Sequence, residues 1–166
     1  MNKSKSSHRV IKVDVTKSNM RRIYLNMPVK RFITGGKAAF MIVSKKSGNS
    51  RSFFVTHPKE TPNCYFVYVL DIDKHIGKFM GTIFWDSLCY RIAPKTGLFG
   101  RNNINNKTFE WLWKHEKLPT NIDLFGFGRC VRCYRHITHT NTVKQGIGDH
   151  CKNIVNNKWN NRKTTK

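Results

Sequence analysis

"AAFMIVSKKSGNSRSFFV", residues 38–55, decides the fold. Two apolar, β-prone runs flank the polar segment "SKKSGNS", and Ser47-Gly48-Asn49 at its centre supplies turn chemistry. Aromatic and β-branched residues suit a pleated surface, and Gly accepts the backbone angles of a tight reversal. The stretch predicts a β-hairpin. Outward from it, "NCYFVYVLDID" (63–73) reads as a third strand and "KFMGTIFW" (78–85) as a fourth. "SLCYRIA" (87–93) is a fifth, closed by Pro94. Five strands in succession predict an antiparallel meander with one face covered.

The cover comes next. "NKTFEWLWKHEKLP" (106–119) places Phe109, Leu112 and Trp113 on one helical face, with Asn105 or Asn106 as cap and Pro119 setting the end. The expected fold class is α+β: an antiparallel β-meander covered by one helix, followed by a small C-terminal zinc module. The expected divisions are a basic N-terminal arm (1–29), a sheet-plus-helix domain (30–120), the zinc module (121–156) and a basic C-terminal tail (157–166). In the arm, "VIKVDV" (10–15) puts Ile11, Val13 and Val15 on one side of a strand, or is part of a basic tail with a chance alternation. Cys64 and Cys89 lie in expected strands and read as core thiols.

Charge bounds the function. The 166 residues hold 31 Lys+Arg against 9 Asp+Glu, a formal net charge of +22. A codon bias toward Asn, Lys and Ile would favour Glu equally, yet only Glu60, Glu110 and Glu116 occur. Such a charge opposes compaction unless a polyanion balances it, and nucleic acid is the first expectation. No run of about 20 apolar residues offers a membrane span. The N-terminus lacks the apolar stretch of a secretory signal. Five cysteines, three of them clustered, fit a reducing compartment and metal binding better than disulfides. The expected location is intracellular, in the cytoplasm of the host cell.

The cluster is "GRCVRCYRHITHTNTVKQGIGDHC", residues 128–151. Cys130 and Cys133 form C-x2-C, whose thiolates can turn toward one ion, and Cys151 returns a third. Structural zinc takes four ligands, so a fourth is needed, and the candidates are His139 and His150. Gly146 and Gly148 suit a turn that delivers Cys151 at the start of a short helix, 149–156, whose N-terminus favours a thiolate. Arg129, Arg132, Arg135, Lys144 and Lys152 crowd the module and offer a surface to phosphates. Lys45, Lys46 and Arg51 flank the hairpin tip. Arg101 borders a Gly/Asn loop with Lys95, Lys107 and Phe99, a mixture that suits single strands.

The closing stretch resembles an uncharacterised family of small zinc-binding proteins of phages and prophages, which ends in C-x-R-C-G-R-x-L-T…G-x-G-P-x-C. Cys130, Arg132, Cys133, Arg135, Ile137, Thr138, Thr142, Gly146, Gly148 and Cys151 stand at matching spacing. The hairpin, "GTIF" and "FEWLWKH" have counterparts too, so the resemblance spans about residues 30–155. Tyr134 replaces the family's Gly, and Thr140 and Asp149 replace its Pro residues. A His that members often place a few residues before the first Cys falls on Gly126 in this chain. The resemblance implies zinc and a phage-type origin, and no activity.

The expected function is a non-enzymatic, zinc-stabilised nucleic-acid-binding protein of viral or phage type, contacting mainly the phosphate backbone of DNA or RNA. The alternative is a small viral effector that binds an acidic host protein and modulates it. "GDHC" with C-x2-C is similar to ββα-metal nucleases, but no His follows His150 to complete that catalytic set. Neither a nucleophile elbow nor a phosphate-binding loop motif occurs.

Overall fold

The computed structural model describes residues 10–93 and 102–164. The elements run β1 (Val10–Lys12), β2 (Arg21–Ile23), α1 (Val29–Ile33), β3 (Lys37–Ser44), β4 (Ser50–Thr56), β5 (Cys64–Asp71), β6 (Ile76–Phe84), β7 (Cys89–Ile92), α2 (Ile104–Trp113), β8 (Ile122–Gly126), α3 (Thr140–Gln145) and α4 (Asp149–Thr164). The expected meander is β3 to β7, every neighbour antiparallel. The hairpin register sets Phe40 against Phe53 and Val43 against Ser50, and Gly48 takes φ 74° at the turn.

The sheet extends beyond the meander. Its order is β1-β6-β5-β4-β3-β8-β2, with β7 also on β6. Strand β8, from the stretch assigned by sequence to the metal module, inserts beside β3 with Ile42 opposite Leu124. Strands β1 and β2, from the stretch assigned to the basic arm, form the two ends of that order.

Both faces of the sheet are covered, because β3 is apolar on both. Ala38, Phe40 and Ile42 enter one cluster, and Ala39 and Met41 a second. The first face is covered by several helices rather than one. Val29, Phe32 and Ile33 of α1, Phe109, Leu112 and Trp113 of α2, and Cys151 and Val155 of α4 share its core. The second face is crossed by a strap, residues 13–20, running between β1 and β2. Its Val13 and Val15 are buried against Phe54, Tyr68 and Leu70. The alternation in "VIKVDV" therefore records burial, although only Val10–Lys12 pair as strand.

Helix boundaries differ from the sequence reading for local reasons. Asn103 caps α2 by accepting a hydrogen bond from the Asn105 N–H. Asn106 lies inside the helix, fully buried, and accepts from the Tyr90 hydroxyl at 2.8 Å. The helix ends at Trp113, before Pro119, and the Glu116 carbonyl accepts from the Val29 N–H at the start of α1. Helix α4 does not stop near residue 156. Cys151, Val155 and Trp159, spaced by four, are all buried, and Trp159 meets the Trp85 ring edge-on at 5.6 Å. Residues 157–164, expected in a tail, are thus held in helix. Cys64 is half-buried and Cys89 exposed, since β7 is a short strand at an edge of the sheet.

Candidate metal centre and adjoining basic pocket

The candidate metal centre is built by a tight knuckle and one helix. After β8 the chain turns at Gly128 (φ 69°), and an isolated bridge pairs Arg129 with His136. The Cys130 N–H donates to the Arg135 carbonyl and the Tyr134 N–H to the Cys130 carbonyl, each at 2.9 Å. These bonds fold the C-x2-C segment back on itself and turn both thiols to one side. The third thiol arrives as expected. Gly146 caps α3 in the left-handed region (φ 72°), Ile147 is buried, and α4 opens two residues before Cys151. A Cβ at Gly146 would stand 2.7 Å from Cδ1 of Ile23, so the close turn needs glycine twice over.

The three sulfurs of Cys130, Cys133 and Cys151 lie within 4.8 Å of one another, positioned to hold a metal ion. Burial opposes ionisation of Cys130, but N–H groups of Cys133, Gly148 and Arg132 outweigh it and lower its pKa. Cys151 shifts up: burial raises it, and the charge on Cys130 adds to that against the Arg132 guanidinium. A cation among the sulfurs would relieve this repulsion. His139 caps α3 and His150 lies in the first turn of α4; both are exposed, and neither joins the group.

The site is continuous with the core. Cys130 and Cys151 pack in the same cluster as Val131, Ile147 and Val155 under the sheet. The Lys37 N–H donates to the Val131 carbonyl at 2.7 Å, tying the knuckle to the start of β3. Knuckle and sheet touch so closely that a Cβ at Gly35 would meet the Val131 carbonyl oxygen at 2.9 Å.

The basic residues named from sequence go to different places. Arg129 is engaged inside the fold: it bonds the Asp14 carboxylate and the Tyr134 carbonyl, and lies over the Tyr134 ring at 4.7 Å. Arg132 points its guanidinium at Cys151 Sγ, 3.6 Å away. Arg135 and Lys144 are exposed, and Lys152 reaches the Gln145 side chain at 3.5 Å. Lys45 shares Asp123 with Arg22, while Lys46 is exposed in the hairpin turn and Arg51 half-buried on β4. At about 3.3 Å per strand residue, the two ends of β3, Lys37 and Ser44, stand roughly 23 Å apart, so the hairpin tip beyond Ser44 and the cysteine triad are separate regions. Arg101, Lys95 and Phe99 lie outside the described residues.

Sequence reasoning missed a cavity of about 440 Å³ beside the triad. Lys37 from β3, Lys59 from the β4–β5 connection, Arg132 from the knuckle and Lys158 from α4 line it with Cys133, and among the described residues no carboxylate does. Its aromatic wall is Tyr65 and Trp85. The Lys158 ammonium donates to the Tyr65 hydroxyl at 2.8 Å and sits 4.9 Å from the Trp85 ring centre. Burial, then the nearby Arg132 charge, lowers its pKa. No sequence signal groups these cations, because they come from four distant segments.

No family model, curated protein or solved structure matches the chain. Among the described residues no helix is long and apolar enough to cross a membrane.

Proposed function

We propose that the protein is a non-enzymatic nucleic-acid-binding protein, held together by zinc, that contacts mainly phosphates. The carrying observation is the segregation of charge. The ion pairs among the described residues use Asp14, Asp73 and Asp123. Lys37, Lys59, Arg132 and Lys158 instead share one cavity without a carboxylate. Grouped cations of this kind favour a polyanion and draw binding energy from counterion release. Three thiolates suit zinc, the usual occupant of cysteine-rich structural sites. The signature shared with small phage proteins supports a viral setting and a host cytoplasm.

The test is binding of labelled single- and double-stranded oligonucleotides across a salt series. A steep linear fall of log K with log salt is expected, about 0.7–0.9 per phosphate neutralised. A flat salt response would contradict the reading. Pull-down from nuclease-treated lysate separates the alternative, since an acidic protein partner survives nuclease and a nucleic acid does not.

A further inference from the structure

The cavity beside the thiolate triad is too small for the backbone of a duplex to run through, yet of ordinary size for a single nucleotide. Its cations are brought from four segments to the lining of one cavity, whereas a backbone track needs them spread along a line. Gly35 and Gly36 allow this convergence. A Cβ at Gly36 would stand 3.2 Å from the Arg132 carbonyl oxygen, so the close approach brings Arg132 and Lys37 to the same cavity. With a dication held by three thiolates, the centre is left with about one negative charge, and Arg132 at 3.6 Å from Cys151 Sγ balances it. Lys37, Lys59 and Lys158 then remain for a ligand.

A backbone phosphodiester offers one negative charge. A terminal phosphate monoester carries about −1.5 to −2 at neutral pH and has three accepting oxygens. We infer that this cavity binds a phosphate monoester, presented as the phosphorylated end of a nucleic-acid strand. The inference deepens the nucleic-acid reading and rests on it for the source of the phosphate. Lys37 and Lys59 contribute charge, and Lys158, fixed by the Tyr65 hydroxyl and the Trp85 ring, contributes a pre-placed donor.

The experiment uses the full chain, metal-loaded, and short single strands bearing a 5′-phosphate, a 3′-phosphate or neither. Inorganic phosphate and a nucleoside monophosphate serve as competitors. One phosphorylated end is expected to bind about tenfold more tightly than the unphosphorylated strand, a difference of about 1.4 kcal/mol. That preference should vanish in the Lys37→Gln/Lys59→Gln variant, whose exposed positions leave the unfolding midpoint unchanged. Equal affinity for all three strands overturns the inference and leaves the nucleic-acid reading standing. Binding of the small phosphates without any strand keeps the monoester site and overturns the strand as its source. No binding of any probe overturns both.

Discussion

The Tyr134 hydroxyl donates a 2.6 Å hydrogen bond to the backbone carbonyl of Asp14, 120 residues earlier in the chain. Tyr134 does so from φ 65°, a left-handed conformation that favours glycine. Its ring meets Phe54 edge-on at 5.8 Å and lies beneath the Arg129 guanidinium. One residue thus closes the knuckle and locks the strap over the second face of the sheet. Glycine is the residue this backbone conformation suits best.

This predicts an inverted order of substitutions. Tyr134→Phe should cost about 1 kcal/mol, the loss of one hydrogen bond. Tyr134→Gly loses the ring but relieves the backbone, whereas Tyr134→Ala loses the ring and keeps the strain. Alanine should therefore be less stable than glycine by about 1 kcal/mol in urea unfolding. Alanine equal to or better than glycine would remove the strain argument.

Arg129 is expected to act on stability and not on binding. Its ion pair with Asp14 is one-sided, the arginine side chain 16% and the aspartate 73% exposed. A double-mutant cycle of Arg129→Ala and Asp14→Ala should then give a coupling of about 0.5–1 kcal/mol. The salt slope of nucleic-acid binding should stay unchanged in Arg129→Ala. A slope reduced by one phosphate contact would return Arg129 to the binding surface.

Trp159→Ala should destabilise the domain by about 3 kcal/mol, the usual cost of truncating a buried tryptophan. The residue is 6% exposed and its ring packs on Trp85. An unchanged urea midpoint would mean that residues 157–164 are the tail their composition suggests.

Gly146 and Gly148 separate two roles of the returning loop. Gly146→Ala meets Ile23 and Phe32 from a left-handed backbone and should cost about 2 kcal/mol or more. A Cβ at Gly148 meets nothing within 4 Å, so Gly148→Ala should stay within about 1 kcal/mol of the parent. Equal losses, measured by thermal unfolding, would contradict this loop geometry.

The meander was legible because β3 to β6 are long apolar runs separated by turn residues. Strand β8 was not: "IDLFG" is short, lies among polar and Gly residues, and gains its place only by pairing with β3. Helix α4 was half legible. Its Asn-rich second half is poor in helix formers, and the four-residue spacing of Cys151, Val155 and Trp159 is its only signal. The grouping of the three cysteines was legible by spacing, while neither His139 nor His150 joins the triad. Lys37, Lys59 and Lys158 were invisible, since only the fold brings them together.

The cysteine triad is part of the domain's main core and not an appended module. The direct test is thermal unfolding of metal-loaded and chelator-treated protein, followed by tryptophan fluorescence. Trp113 reports the α2 side of the core, and Trp85 and Trp159 the α4 side. One cooperative transition is expected in both samples, with its midpoint lowered by chelation. A midpoint unmoved by chelation, or a separate early transition that leaves the sheet intact, would contradict it.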